Sequence, residues 1–150
     1  MRNNNSIWVI GAVVLGLIGL YFASRLASRT AGEAGNGIFK QILPAEAKNL
    51  LEDQRANPDF VILDVRTAAE FQAGHLAGAQ NIDFYAPTFA ADLAKLDKTN
   101  TYFVYCRSGN RSGKTLQLME RLRFTQASHL QGGLVGWHNA GLPVITPPAK

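Results

Sequence analysis

A chain of 150 residues, 47% hydrophobic and 17% charged, is long enough for one modest domain with a core of its own. Its single cysteine excludes a disulfide framework and a Cys-cluster metal site, and His75, His129 and His138 lie too far apart for ligand-like spacing, so no metal is expected. The net charge of +4 is not a nucleic-acid footprint: from Lys40 onward 12 basic residues meet 10 acidic ones, and the rest of the excess is Arg2, Arg25 and Arg29 against Glu33, flanking a hydrophobic segment.

Residues 1–6 read as a short polar tail. Ile7 to Ala23, IWVIGAVVLGLIGLYFA, carries no charge. At ~1.5 Å per residue this run reaches about 26 Å, the short end of a bilayer span, and Asn5, Ser6 and Ser24 can extend it. Trp8 and the Tyr21–Phe22 pair stand near its two ends, where interfacial aromatics sit. Gly11, Gly16 and Gly19 are commoner in spanning helices than in soluble ones, although they form no GxxxG pattern. A cleaved secretory signal has a shorter apolar stretch with a small-x-small site close behind; YFASRLASRT offers no clean one. The expectation is an uncleaved, single-pass transmembrane anchor over 7–24, followed by a flexible linker over 25–37 that includes TAGEAGNG.

Residues 38–146 carry the pattern of a compact α/β domain, with 147–150 as a tail. PAEAKNLLEDQ starts with Pro44 at a first-turn position and repeats Ala47, Leu50 and Leu51 at helical spacing. FVILDV, Phe60 to Val65, is an apolar run typical of a strand buried on both faces. TAAEFQAG predicts a short helix closed by Gly74, AQNI a short strand, and APTFAADLAKL another helix. TYFVYC, Thr101 to Cys106, is a second buried strand. SGKTLQLMERLRF follows as a helix with Leu116, Met119 and Leu122 on one face and Ser112 placed to cap it. ASHL is a last short strand, and LVGWHNAGLPV a terminal helix ending at Gly141. Strands alternating with helices predict a mostly parallel central sheet flanked by helices, a three-layer α/β fold.

Cys106 sits where the second buried strand ends and a helix begins within a few residues. Ligands of open parallel sheets bind at this end of the strands. Arg107, Ser108, Gly109, Asn110, Arg111 and Ser112 follow it, small or polar apart from the two arginines. Gly109 permits dihedrals that turn backbone N–H groups inward, the helix N-terminus adds partial positive charge, and the arginines add full charges. Each effect favours an anion at the sulfur, so the loop is expected to hold a thiolate or an anion attached to it. A buried packing cysteine needs none of these neighbours. Ser108 and Ser112 are not expected to be nucleophiles, since no histidine is near them in sequence.

This loop resembles the active-site loop of single-domain rhodaneses, the thiosulfate/persulfide sulfurtransferases. LDVRTAAEFQAGHLAGAQNI, Leu63 to Ile82, and LQGGLVGWHNAGLPV, Leu130 to Val144, resemble two further blocks of that family, in the same order. The resemblance covers roughly Ile38 to Thr146 and leaves the anchor and linker outside. It implies a rhodanese-like fold, no cofactor, and Cys106 as the nucleophile that takes up a sulfane sulfur as a persulfide. It implies that Arg107, at a variable position of the family, and Arg111 face a small anionic sulfur donor, with the rest of the loop as the binding cradle. Asp64 and Arg66 match supporting positions; Asp64 is expected to pair with a loop arginine and Arg66 with Glu70. His75 matches a structural turn histidine and Trp137 a core aromatic.

The chemistry expected is two-step covalent transfer: a Cys106 persulfide forms from thiosulfate or a persulfide and is discharged to a thiol, a protein acceptor or cyanide. Two other readings stand beside it. One is a sulfur carrier or docking module at the membrane without turnover. The other is a phosphatase or arsenate reductase of the same fold, against which the Cys-x4-Arg spacing gives a loop one residue shorter than those enzymes use. A lone thiolate is kept reduced in the cytosol, and Arg25 and Arg29 follow the apolar segment, so the expected location is a bacterial inner membrane with the domain facing the cytoplasm.

Overall fold

The computed structural model describes residues 37–146; the expected N-terminal tail, the anchor, the linker up to residue 36 and the tail 147–150 lie outside the described residues. Among the described residues, no helix is long and apolar enough to cross a membrane.

Five strands, β1 (Ile38–Ile42), β2 (Phe60–Asp64), β3 (Gln80–Asn81), β4 (Thr101–Tyr105) and β5 (Gln126–Leu130), make one sheet in the order β1-β5-β4-β2-β3, every neighbour parallel. Among the described residues five helices connect or follow them: α1 (Pro44–Asp53), α2 (Ala68–Gln72), α3 (Phe89–Ala94), α4 (Asn110–Arg121) and α5 (Gly133–Asn139). Strand alternation sorts the core into two layers. Tyr102, Val104 and Cys106 join Leu63, Val65, Leu93, Leu116 and Met119 on the face covered by α3 and α4. Phe103 and Tyr105 point the other way, towards Ala47, Leu134 and Trp137 of α1 and α5. This is the three-layer architecture expected.

β4 is the central strand, and Tyr102 to Tyr105 are all 0–1% exposed. Each such side chain contributes about 1.5–3 kcal/mol by burial, so the strand that carries Cys106 is the most firmly held element of the sheet. β2 is less enclosed than its apolar run suggests. Phe60, Val61 and Ile62 stay partly exposed, because β3 pairs only with Leu63 and Asp64. β1 was not visible as a strand: IFKQI is an edge strand with Ile38 57% exposed, and it shows no buried run. The helix after Cys106 begins at Asn110 and not at Ser112. Gly109 is its N-cap, at φ 92°, so Ser112 lies inside the first turn and does not cap it. At its other end the helix stops short of Phe124. Arg123 adopts φ 68° and the Phe124 N–H donates back to the Met119 carbonyl at 3.1 Å, a closure that buries Phe124 beside Met119.

Candidate active site

Cys106 follows directly on β4, and its sulfur points under the start of α4 with the residue wholly buried. The chain then turns through Arg107 and Ser108, both exposed, to Gly109. The left-handed φ of Gly109 brings its N–H onto the sulfur, 3.1 Å from Sγ. A side chain at Gly109 would be strained at that φ. The Ser112 hydroxyl lies 3.6 Å from Sγ. Burial pushes the Cys106 thiol up, but the N–H groups of Ser112, Ser108 and Gly109 and the Ser112 hydroxyl outweigh it, and its pKa falls below the ordinary thiol value. The sulfur is thus a favoured anion site, held by oriented N–H dipoles and the Ser112 hydroxyl.

The loop is held from behind by the glycine pair at the start of α5. The Leu134 N–H donates to the Cys106 carbonyl at 2.9 Å and the Val135 N–H to the Arg107 carbonyl at 3.0 Å. With these carbonyls turned towards α5, the N–H groups that follow are free to face the sulfur. A Cβ at Gly133, itself at φ 57°, would collide with the Cys106 and Arg107 carbonyl groups. Only glycine lets α5 approach this closely.

The two arginines of the loop have different surroundings. Arg111 places both terminal nitrogens on Glu70, 2.7 Å from Oε2 and 2.8 Å from Oε1, and stands 5.4 Å from the centre of the Tyr85 ring. Glu70 also accepts from the Thr67 N–H and hydroxyl at the start of α2. The Arg111 bond, against some burial and with help from Thr67, brings the Glu70 pKa down to about 2, and Arg111 is raised in turn, chiefly by Glu70. Arg107 is exposed at the mouth of the loop, as are Ser108 and Asn110.

Asp64 and Arg66 do not pair as expected. They bond to each other: Arg66 reaches Asp64 through its backbone N–H at 2.8 Å and through Nε and Nη2, at 2.6 Å for the last. Nη2 also donates to the Gly74 carbonyl, and Asn81 Nδ2 spans the carbonyls of Asp64 and Arg66. Asp64 therefore does not meet a loop arginine and Arg66 does not meet Glu70. The reason is distance along the backbone: two residues past β2 the chain folds Arg66 back on Asp64, while α2 turns Glu70 towards α4. The pair braces the turn between β2 and β3. His75 is likewise structural, its Nδ1 2.9 Å from the Phe71 carbonyl oxygen and its ring stacked on Phe71 at 3.8 Å. Trp137 fills the core under α5, and its Nε1–H donates to the Pro143 carbonyl.

Of two residues beside the site, Glu70 was expected to meet Arg66 and not Arg111, and His129 was missed. Glu70 had a visible signal, the Thr67-x-x-Glu70 capping box, which gave no hint of its bond to Arg111. His129 had none: β5 pairs with β4 and places its Nδ1 3.2 Å from Ser112 Oγ, across 17 residues of sequence. A groove of about 580 Å³ lined by Leu51, Phe60, Trp137 and Leu142 lies elsewhere, and no residue of the Cys106 loop lines it.

The family model for the rhodanese-like domain matches residues 43–140. The chain belongs to the rhodanese-like domain family. Among curated proteins, this rhodanese-like chain is 35% identical over 107 residues to the probable adenylyltransferase/sulfurtransferase MoeZ of Mycobacterium tuberculosis. The match takes in 71% of the chain but only 26% of that relative. A protein named simply sulfurtransferase from Allochromatium vinosum is 24% identical over 102 residues, 68% of this chain and 94% of its own length. Among solved structures, the rhodanese-like domain protein of Staphylococcus aureus superposes with a TM-score of 0.57 at 30% identity, over 71% of this chain and 99% of that one.

Proposed function

We propose that this rhodanese-like domain is a sulfurtransferase that carries a sulfane sulfur on Cys106. The observation that carries the reading is the sulfur cradle: a buried Sγ with the Gly109 N–H at 3.1 Å, the Ser112 hydroxyl beside it, and a thiol shifted towards its anion. The Cys106 thiolate attacks the outer sulfur of thiosulfate or of a low-molecular-weight persulfide. A Cys106 S–S bond forms, the donor's S–S bond breaks, and sulfite or a thiolate leaves with the electron pair. An acceptor thiolate or cyanide then attacks the outer sulfur, and the Cys106 thiolate departs. The same N–H groups hold negative charge in both resting forms, so neither step requires a metal or an organic cofactor.

With Arg111 bonded to Glu70, the exposed Arg107 is the loop cation placed to meet an anionic donor. The loop is also a cradle for one small group. Four residues separate Cys106 from Arg111, and the N–H groups close on the sulfur itself, which favours sulfur transfer over phosphoryl transfer. In this reading residues 7–24 anchor the chain in a bacterial inner membrane, with the domain on the cytoplasmic side. Cys106→Ser tests the chemistry. The substituted chain, checked for native folding by circular dichroism, is expected to form no thiocyanate from thiosulfate and cyanide; substantial turnover would remove Cys106 from the mechanism.

A further inference from the structure

The side chain beside the Cys106 sulfur, Ser112, is itself wholly buried, and its hydroxyl has three polar neighbours. Sγ lies at 3.6 Å, the Gly109 carbonyl oxygen at 3.1 Å and Nδ1 of His129 at 3.2 Å. A hydroxyl has one proton to give and two lone pairs to receive. If Nδ1 is bare, it competes for that proton, and Ser112 then presents lone pairs to an anionic sulfur. If Nδ1 carries hydrogen, it fills a lone pair on Oγ and leaves the Oγ–H for the sulfur or for the Gly109 carbonyl. A bond to a thiolate is charge-assisted and is the stronger of those two. The tautomer of His129 therefore decides whether Ser112 supports or opposes an anion on Cys106.

We propose that His129 is a positioning residue for Cys106: its Nδ1–H holds Ser112 Oγ so that the hydroxyl proton points at the sulfur. The surroundings of the ring favour that tautomer. Burial lowers the His129 pKa, so the ring is neutral near neutral pH and has a tautomer to select. Ser112 has one hydroxyl proton and two groups that take it, the Gly109 carbonyl and an anionic sulfur, which leaves an Oγ lone pair to accept from Nδ1–H. Gln41 of β1 and Val104 of β4, in register with His129, are uncharged. On α4, Arg111 is bonded to Glu70 and Lys114 is exposed. The titratable group that faces His129, through Ser112, is Cys106. The arrangement has a consequence for specificity of function: the same hydroxyl can follow the negative charge from thiolate to persulfide without any proton leaving the site.

The proposal rests on Cys106 as the reacting sulfur, but its tests read the ring and the thiol and not sulfur transfer, so its failure would leave that reading standing. The full chain in detergent, labelled with 15N-histidine, reports the tautomer by long-range 1H–15N correlation. The expected result is Nδ1–H on His129; a neutral ring with hydrogen on Nε2 would overturn the proposal. The rate of iodoacetamide alkylation against pH then gives the thiolate midpoint. Ser112→Ala and His129→Leu should each reduce the thiolate fraction at neutral pH by roughly threefold to tenfold. The double substitution should lose no more than Ser112→Ala alone. An unchanged midpoint in His129→Leu, or a His129 effect undiminished without the Ser112 hydroxyl, would overturn the proposal. The tautomer is read on the unaltered chain, so the test stands even where a substituted chain does not fold.

Discussion

Replacing Glu70 with Gln removes one charge and turns one of its two accepting oxygens into an amide nitrogen, which cannot accept from Arg111 or Thr67. In the native chain the carboxylate pKa falls from 4.5 to about 2, first through the Arg111 bond, against burial, and then through Thr67. At ~1.4 kcal/mol per pH unit, that shift sets a ceiling of about 3–4 kcal/mol on what the ionised form contributes. The Glu70 side chain is 30% exposed and that of Arg111 13%, so water screens part of the pair. The expected loss in Glu70→Gln is about 1–2 kcal/mol near neutral pH. Because the folded pKa lies below the unfolded one, the contribution is complete above the unfolded value of 4.5 and is lost as pH falls towards about 2. Urea denaturation of the two chains should therefore show a gap near neutral pH that closes through this window. A gap that persists unchanged into acid, or none at neutral pH, would refute the claim that ionised Glu70 holds Arg111.

Arg107→Ala should lower kcat/KM for thiosulfate by roughly fivefold or more and for a less charged persulfide by less, whereas Arg111→Ala should affect both donors alike; steady-state kinetics with the two donors separates these outcomes. Gly133→Ala should cost more than ~3 kcal/mol in denaturation and abolish thiocyanate formation, since the added methyl meets the backbone of Cys106 and Arg107 and no flexible side chain. The full chain should sediment with membranes, and a chain beginning at Gly37 should be soluble and active. On intact spheroplasts an impermeant thiol reagent should leave Cys106 unlabelled until lysis, and earlier labelling would place the domain in the periplasm.

The parts of the fold legible in the sequence are those whose signal is local. Phe60 to Val65 and Thr101 to Cys106 read as strands because central parallel strands need apolar residues on both faces, and β4 meets that need from Tyr102 to Tyr105. The turn of the cysteine loop was legible too, because Cys106 to Ser112 are consecutive and Gly109 marks the left-handed residue that brings an N–H onto the sulfur. β1 was not, since an edge strand buries one face and IFKQI buries only Ile42 fully. The helix start was misplaced because Ser112 has the chemistry of a cap, whereas a left-handed Gly109 opens the helix three residues earlier. Ion pairing was misassigned for a different reason: Glu70 and Arg111 are 41 residues apart in sequence and meet only in the folded chain, where their side chains bond across from α2 to the first turn of α4. His129 reaches Ser112 by the β4–β5 pairing, which no spacing in the chain announces.

The central claim is that a sulfane sulfur resides on Cys106, and intact-mass spectrometry of the purified full chain tests it most directly. After treatment with thiosulfate the chain should gain the mass of one sulfur atom, lose it on addition of cyanide, and show no gain as Cys106→Ser. A native chain that stays at its original mass with thiosulfate and with a persulfide donor alike, or a Cys106→Ser chain that gains the sulfur, would contradict the account.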